Sequence, residues 1–93
     1  MDYERDGDTL TVHLHRDFNL LTARHLHQIA QGADSVHLDL SHARLVDTEA
    51  LGALWDLQDD GMHITLYDPP PLFYELIEAL DLEGVFDVEV EDA

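Results

Sequence analysis

Apolar and polar residues alternate one by one from Thr9 to His15, with Leu10, Val12 and Leu14 on one side and Thr11, His13 and His15 on the other. That period of two predicts a strand buried on a single face. Asp6, Gly7 and Asp8 supply a turn before it, and Tyr3 to Arg5 a short edge strand. The period then changes. Asn19 is a good helix N-cap, Leu21, Leu26, Ile29 and Ala30 recur at near-helical spacing, and Gly32 closes the run, which predicts a helix over Leu20 to Gln31. Alternation returns from Ser35 to Leu40, placing Val36, Leu38 and Leu40 inward against His37 and Asp39. After a loop from Ser41 to Val46, Asp47 or Thr48 caps a second helix that runs to Asp59, with Leu51, Leu54 and Trp55 on its inward stripe and Gly61 past its end. With Asp47 as the cap, Val46 and Leu51 take the positions of a hydrophobic staple. Met62 to Tyr67 reads as a short strand. Pro69 to Pro71 stop it and set up a third helix carrying Leu72, Phe73, Leu76, Ile77 and Leu80, because proline fits a helix's first turn but not its interior. Val85 to Val90 is the last strand, at an edge.

Strands separated by helices imply an α/β fold: a mixed, largely parallel sheet of four to five strands, reached by right-handed crossovers, with helices packed on it. Residues 1–93 hold no internal repeat, low-complexity stretch or linker, so the chain reads as a single domain.

Charge narrows the function. Asp and Glu number 21 against four arginines, there is no lysine, and the formal net charge is -17. Nucleic acid binding depends on cations that neutralise phosphates, and this surface repels a polyanion. Anionic membrane surfaces are disfavoured for the same reason. No window approaches the roughly 18 to 20 apolar residues of a spanning helix, and Met1 to Asp8 is acidic rather than signal-like, so a soluble, cytoplasmic protein is expected. Acidity alone also suits a disordered chain, but 45% hydrophobic residues in periodic blocks argue for a packed core. With no cysteine, disulfides, thiol nucleophiles and zinc knuckles fall away, and packing must hold the fold.

Candidate chemistry is sparse. Seven histidines suggest metal, yet His25 and His27 lie two apart on a helix and point to nearly opposite sides. His13 and His15 share a strand face without a third ligand at supporting spacing, so they read as solvated or partly packed, and no metal site is assigned. The pairs Asp59-Asp60 and Glu91-Asp92 sit at a turn and the terminus, without the buried company that acid/base catalysis needs. No phosphate loop, nucleophile elbow or dinucleotide fingerprint occurs. A non-enzymatic protein without cofactor is expected. Trp55 and the tyrosines read as core or rim, and exposure of Trp55 or Phe73 would mark an interface.

The run from His37 to Leu54 resembles the signature of STAS domains, the family of anti-sigma factor antagonists and of the cytoplasmic tails of sulfate transporters. In that family a central strand leads through a loop to Asp-Ser-Ser/Thr-Gly-Leu at a helix start. Asp47, Thr48, Leu51, Gly52 and Leu54 fit, and Asn19 with Thr22-Ala23 is similar to the family's Asp/Asn-x-x-Thr-Ala. Ile64 to Tyr67, the proline break and Leu76 to Phe86 resemble its penultimate strand, third helix and last strand, so the likeness spans residues 9–90.

The resemblance implies a regulatory module that binds a partner through Asn19, Leu45, Val46, Asp47, Thr48, Glu49 and Leu51. In regulatory members the hydroxyl after the signature Asp is phosphorylated by a partner kinase, which by position makes Thr48 the phosphoacceptor. Chemistry supports a switch there. A phosphate adds about 1.5 to 2 negative charges at a helix N-terminus, where backbone N–H groups favour anions and an apolar or acidic partner is repelled. Two positions depart from the pattern: Glu49 replaces the second hydroxyl and Ala50 the glycine. Asp47 and Glu49 thus flank Thr48 with charge. Asp-Thr also resembles the small STAS subunit of bacterial ABC-type lipid transporters, where the domain sits on the ATPase. Phosphoacceptor, unmodified contact residue and plain cap all stand open for Thr48. Partner readings are an anti-sigma or related ATP-binding kinase, or an ABC ATPase. A small-ligand or nucleotide sensor is the third reading, with oligomeric state open between monomer and weak dimer.

The lysine-free, aspartate-rich surface also resembles that of proteins from salt-loving organisms. Self-repulsion at -17 is relieved as the screening length falls from about 8 Å at physiological ionic strength to about 3 Å at 1 M. Raising KCl from low to molar concentration should therefore lift the melting temperature by about 5 °C or more. Calorimetry that shows no rise removes the halophilic reading.

Overall fold

Three strand-helix-strand units organise the chain, and each sets two parallel strands side by side. The computed structural model describes residues 2–15, 17–43 and 47–90. Its elements are β1 (Asp2–Asp6), β2 (Thr9–His13), α1 (Leu20–Ile29), β3 (Ser35–Asp39), α2 (Thr48–Asp59), β4 (His63–Tyr67), α3 (Pro71–Ala79), a 3-10 turn (Leu82–Gly84) and β5 (Asp87–Glu89). Strand order in the sheet is β1-β2-β3-β4-β5, the order of the chain. β1 pairs antiparallel with β2 through a turn whose Gly7 adopts φ 61°, a left-handed conformation that favours glycine. The other three pairs are parallel. This is the mixed, mostly parallel sheet with three helices that the hydrophobic pattern predicts.

Because every crossover steps the same way across the sheet, right-handed connections set all three helices against one face. Burial agrees. Leu10, Val12, Val36, Leu38, Ile64 and Leu66 are all fully buried on that face. They meet Ala23 and Leu26 of α1, Ala50, Leu54 and Leu57 of α2, and Phe73 and Ile77 of α3, in a single apolar cluster.

Local differences from the sequence pattern have local causes. Helix α1 ends at Ile29 instead of Gln31, because the Ala33 amide bonds back to the Ala30 carbonyl and Gly32 turns to φ 82°. Leu21 is 74% exposed, and its place on the inward stripe belongs to Ala23. The last strand starts at Asp87, two residues later than its apolar pattern suggests. The amides of Val85 and Phe86 both donate to the Leu82 carbonyl, which winds that segment and buries Phe86. Arg5 ties the edge strand to the rest by donating to the Gln31 carbonyl at 2.9 Å.

The opposite face of the sheet is polar. Thr11, His37 and Thr65 stand in register across β2, β3 and β4, and His13, Asp39 and Tyr67 form the next row. His13 Nδ1 lies 2.9 Å from Asp39 Oδ2, and the Tyr67 hydroxyl lies 3.0 Å from His37 Nδ1. Further out, His63 pairs with Asp87 at 2.6 Å and His15 with Asp2 at 3.1 Å. Asp39 is the focus of this row. Burial, the largest single influence, pushes its pKa up, but hydrogen bonds from the Ser41 side chain and amide and from His13, with the His13 charge, outweigh it. The carboxyl is held at about 2, below its ordinary 3.8. A depressed carboxylate pKa stabilises the fold above the unfolded value, and that stability is lost as pH falls through the folded one. Asp39→Asn should therefore lower stability by on the order of 1 kcal/mol at pH 6, after allowance for partial exposure. Urea titrations of the two proteins should converge as pH is taken from about 4 toward 2.

Candidate functional site

Two helix starts meet beside the C-terminal ends of β2 and β3. Asn19 caps α1: its Oδ1 accepts from the Thr22 amide at 3.0 Å and from the Thr22 hydroxyl at 3.1 Å. The preceding Phe18 is fully buried, and its carbonyl accepts from the Asp47 amide at 2.9 Å. One backbone bond thus holds the entry to α1 against the entry to α2. Asp47 is the cap of α2, with Oδ1 accepting from the Glu49 amide at 2.8 Å. Thr48 is the first helical residue, and both Thr48 and Glu49 are exposed.

The expected contact residues therefore fall into three groups. Asn19, Asp47, Thr48 and Glu49 are brought to one end of the molecule. Leu51 is only 4% exposed, so it forms floor rather than surface. Leu45 and Val46, and with Val46 the staple to Leu51, lie outside the described residues.

Helix α2 continues the site. Its inward stripe is Ala50, Leu51, Leu54 and Leu57, and Trp55, expected on that stripe, is 45% exposed. Outside, two rows at helical spacing cross at Gly52. Thr48, Leu51, Gly52 and Trp55, with Leu80 and Leu82 from the end of α3 and the 3-10 turn, line an open, apolar groove of about 380 Å³. Glu49, Gly52, Ala53, Trp55 and Asp56, with Leu20 from α1, line a second, shallower one of about 560 Å³. Trp55 is the ridge between them. Gly52 sits at the bottom of both, and a methyl group added there meets no atom within 4 Å. A mid-helix glycine costs about 1 kcal/mol relative to alanine, and nothing in the fold requires this one.

Leu20, Gly52, Leu80 and Leu82 are not assigned to the site by the sequence, which marks Trp55 as an interface residue only on condition of its exposure. The spacing 48, 51, 52, 55 was a usable signal for α2's own residues. Nothing local announces that Leu80 and Leu82 close the groove, since they arrive from the far side of α3.

The α2 side of the site is acidic. Helix α2 carries Glu49, Asp56 and Asp59 and no cation. Histidines are dispersed: His13 and His15 each engage a different carboxylate, and among the described residues no group of three or more histidines and acids is placed to hold a metal ion. Among the same residues, no helix is long and apolar enough to cross a membrane.

A capped helix start beside the ends of a one-sided, mostly parallel sheet is the arrangement that the resemblance to STAS domains implies. The chain belongs to that family: its sequence matches the family described as Mlab, STAS domain, over residues 1–89. Solved structures share the fold. A protein from Thermotoga maritima described as a putative anti-sigma factor antagonist superposes with a TM-score of 0.78 at 15% identity, covering 98% of this chain and 86% of that one. The anti-sigma factor antagonist SpoIIAA in its unphosphorylated form gives 0.68 at 12% identity, covering 99% and 87%. No curated protein sequence matches the chain.

The cap makes a direct test of how the site is built. Asp47→Ala should cost about 1 kcal/mol, whereas Asp47→Asn, which keeps the acceptor, should stay within about 0.5 kcal/mol of wild type. Equal urea midpoints for the Ala and Asn proteins would remove the capping role.

Proposed function

We propose that this STAS domain is a non-enzymatic regulatory module of the cytoplasm that docks on a protein partner through the start of α2 and is released by phosphorylation of Thr48. One observation carries the reading: an exposed threonine, fixed by the Asp47 cap, stands at the mouth of an apolar groove. The partner that fits is an anti-sigma or related ATP-binding kinase, which would bind the domain and modify it. The names of the fold's relatives, anti-sigma factor antagonists, support this direction.

The switch works by cost rather than by a new bond. Asp47 already occupies the Glu49 amide, so a phosphate on Thr48 finds that donor taken and carboxylates on both sides. Covering that dianion with an apolar partner surface removes water from it without compensation. The complex then weakens.

A second reading has its own support. The same flanking carboxylates oppose a phosphate, the matched family carries the description Mlab, and this chain's Asp47-Thr48 resembles the small STAS subunit of bacterial lipid-transport systems. On that reading the domain is a constitutive stabiliser of an ABC ATPase, using the same face without modification.

Thr48→Glu separates the two. A regulated complex should lose about tenfold in affinity, and Thr48→Ala should keep binding while preventing a phosphate mass shift on incubation with kinase and ATP. A Thr48→Glu protein that binds its co-purified partner as tightly as wild type excludes the switch.

A further inference from the structure

We infer that the Trp55 face receives a basic, amphipathic helix of the partner protein, whose apolar side chains enter the grooves on either side of Trp55 and whose arginines or lysines meet Glu49 and Asp56. This rests on the reading of α2 as the docking surface and supplies the chemistry of what docks there.

Gly52 is the first reason. It weakens α2 at an exposed position where the protein's own atoms leave open space, so the missing side chain serves a neighbour from outside. Small residues on a helix surface let a second backbone approach closely, and a helix presents its side chains in the ridges that fit such grooves. Trp55, 45% exposed between two apolar channels, is the kind of large, rigid anchor on which interfaces concentrate their energy. Charge decides the rest. Glu49 and Asp56 edge the groove that Thr48 does not line, so the cations pair these acids while Thr48 meets apolar side chains; Asp59 follows on the same helix, and no lysine or arginine of α2 offsets them. An acidic or neutral segment leaves those carboxylates unpaired, and a cationic one pairs them. A second copy of this chain is disfavoured, because an isologous contact would oppose the same three acids to themselves.

The chain's single tryptophan reports on the test directly. The probes are two synthetic peptides of about 18 residues, long enough to hold helix, with leucines at i, i+3, i+4 and i+7 and either arginines or glutamates beside them. At the lowest KCl concentration that keeps the protein folded, the arginine peptide should shift Trp55 emission to the blue. It should bind at least about tenfold tighter than the glutamate peptide and weaken as salt rises. Gly52→Ala should raise the melting temperature by about 4 to 8 °C yet weaken the arginine peptide about fivefold or more. Gly52→Leu, checked for folding by circular dichroism, should abolish the shift.

Equal response to both peptides overturns the proposal, as does undiminished binding by the folded Gly52 variants. Sedimentation as a dimer that Gly52→Leu dissociates overturns it too, and assigns the face to a second copy. Loss of peptide binding in Gly52→Leu with full binding in Thr48→Glu upholds the occupant while the phosphorylation switch fails. Conversely, if Thr48→Glu releases a natural partner but neither peptide moves Trp55, the switch stands and this occupant does not.

Discussion

Everything in this fold depends on the one-directional order of its parallel strands. Each crossover moves to the next strand on the same side, so one face of the sheet is packed under three helices and the other faces water. Because of this the core needs apolar residues at only every second strand position. The remaining positions are free for polar residues, where His13 pairs with Asp39 and Tyr67 with His37 in a half-buried layer. The same order sends the β2–α1 and β3–α2 connections to a common end, where the Phe18 carbonyl and Asp47 amide lock them together. The face at this end is thus a consequence of topology before any particular residue is placed on it.

The charge of -17 acts on top of that scaffold. It cannot enter the core, which is apolar apart from Thr65 among its described buried residues, so it is carried by loops, outer helix faces and the open side of the sheet. On β1 every residue is exposed, with Asp2, Glu4 and Asp6 facing the polar side. A charged edge strand of this kind discourages edge-to-edge pairing with another copy. Over most of the surface the acids face water, and along α2 they also stand beside exposed apolar residues.

Much of this was legible in the sequence. Period-two blocks such as Leu10-Val12-Leu14 and Val36-Leu38-Leu40 can be buried in only one register, so strand identity and facing followed directly. Asn19 and Asp47 announced their helices because a short acceptor before an apolar run has few other uses. The orientation of Trp55 was not legible. Leu51 and Trp55, four apart, form as good a stripe as Ala50, Leu54 and Leu57, and small alanines contribute little to an apolar pattern even where packing selects them. Leu21 lost to Ala23 for the same reason. The groove itself depends on Leu80 and Leu82 lining the same opening as Thr48, a placement set by tertiary packing across more than thirty positions.

Helix α2 brings these strands of reasoning to one place. Its buried side, Ala50, Leu51, Leu54 and Leu57, is as regular as packing requires. Its outer side departs from the preferences of an isolated solvated helix in three ways: a glycine in the middle, a half-exposed tryptophan, and Asp56 and Asp59 toward its C-terminal end with no cation on the helix to pair them. Sites where local preferences are violated together are where selection for something other than stability acts. Gly52 and Trp55 lie three residues apart, on the same outward row as Thr48. A helix that is stable from below and unsatisfied from above is the form expected of a surface completed by its partner.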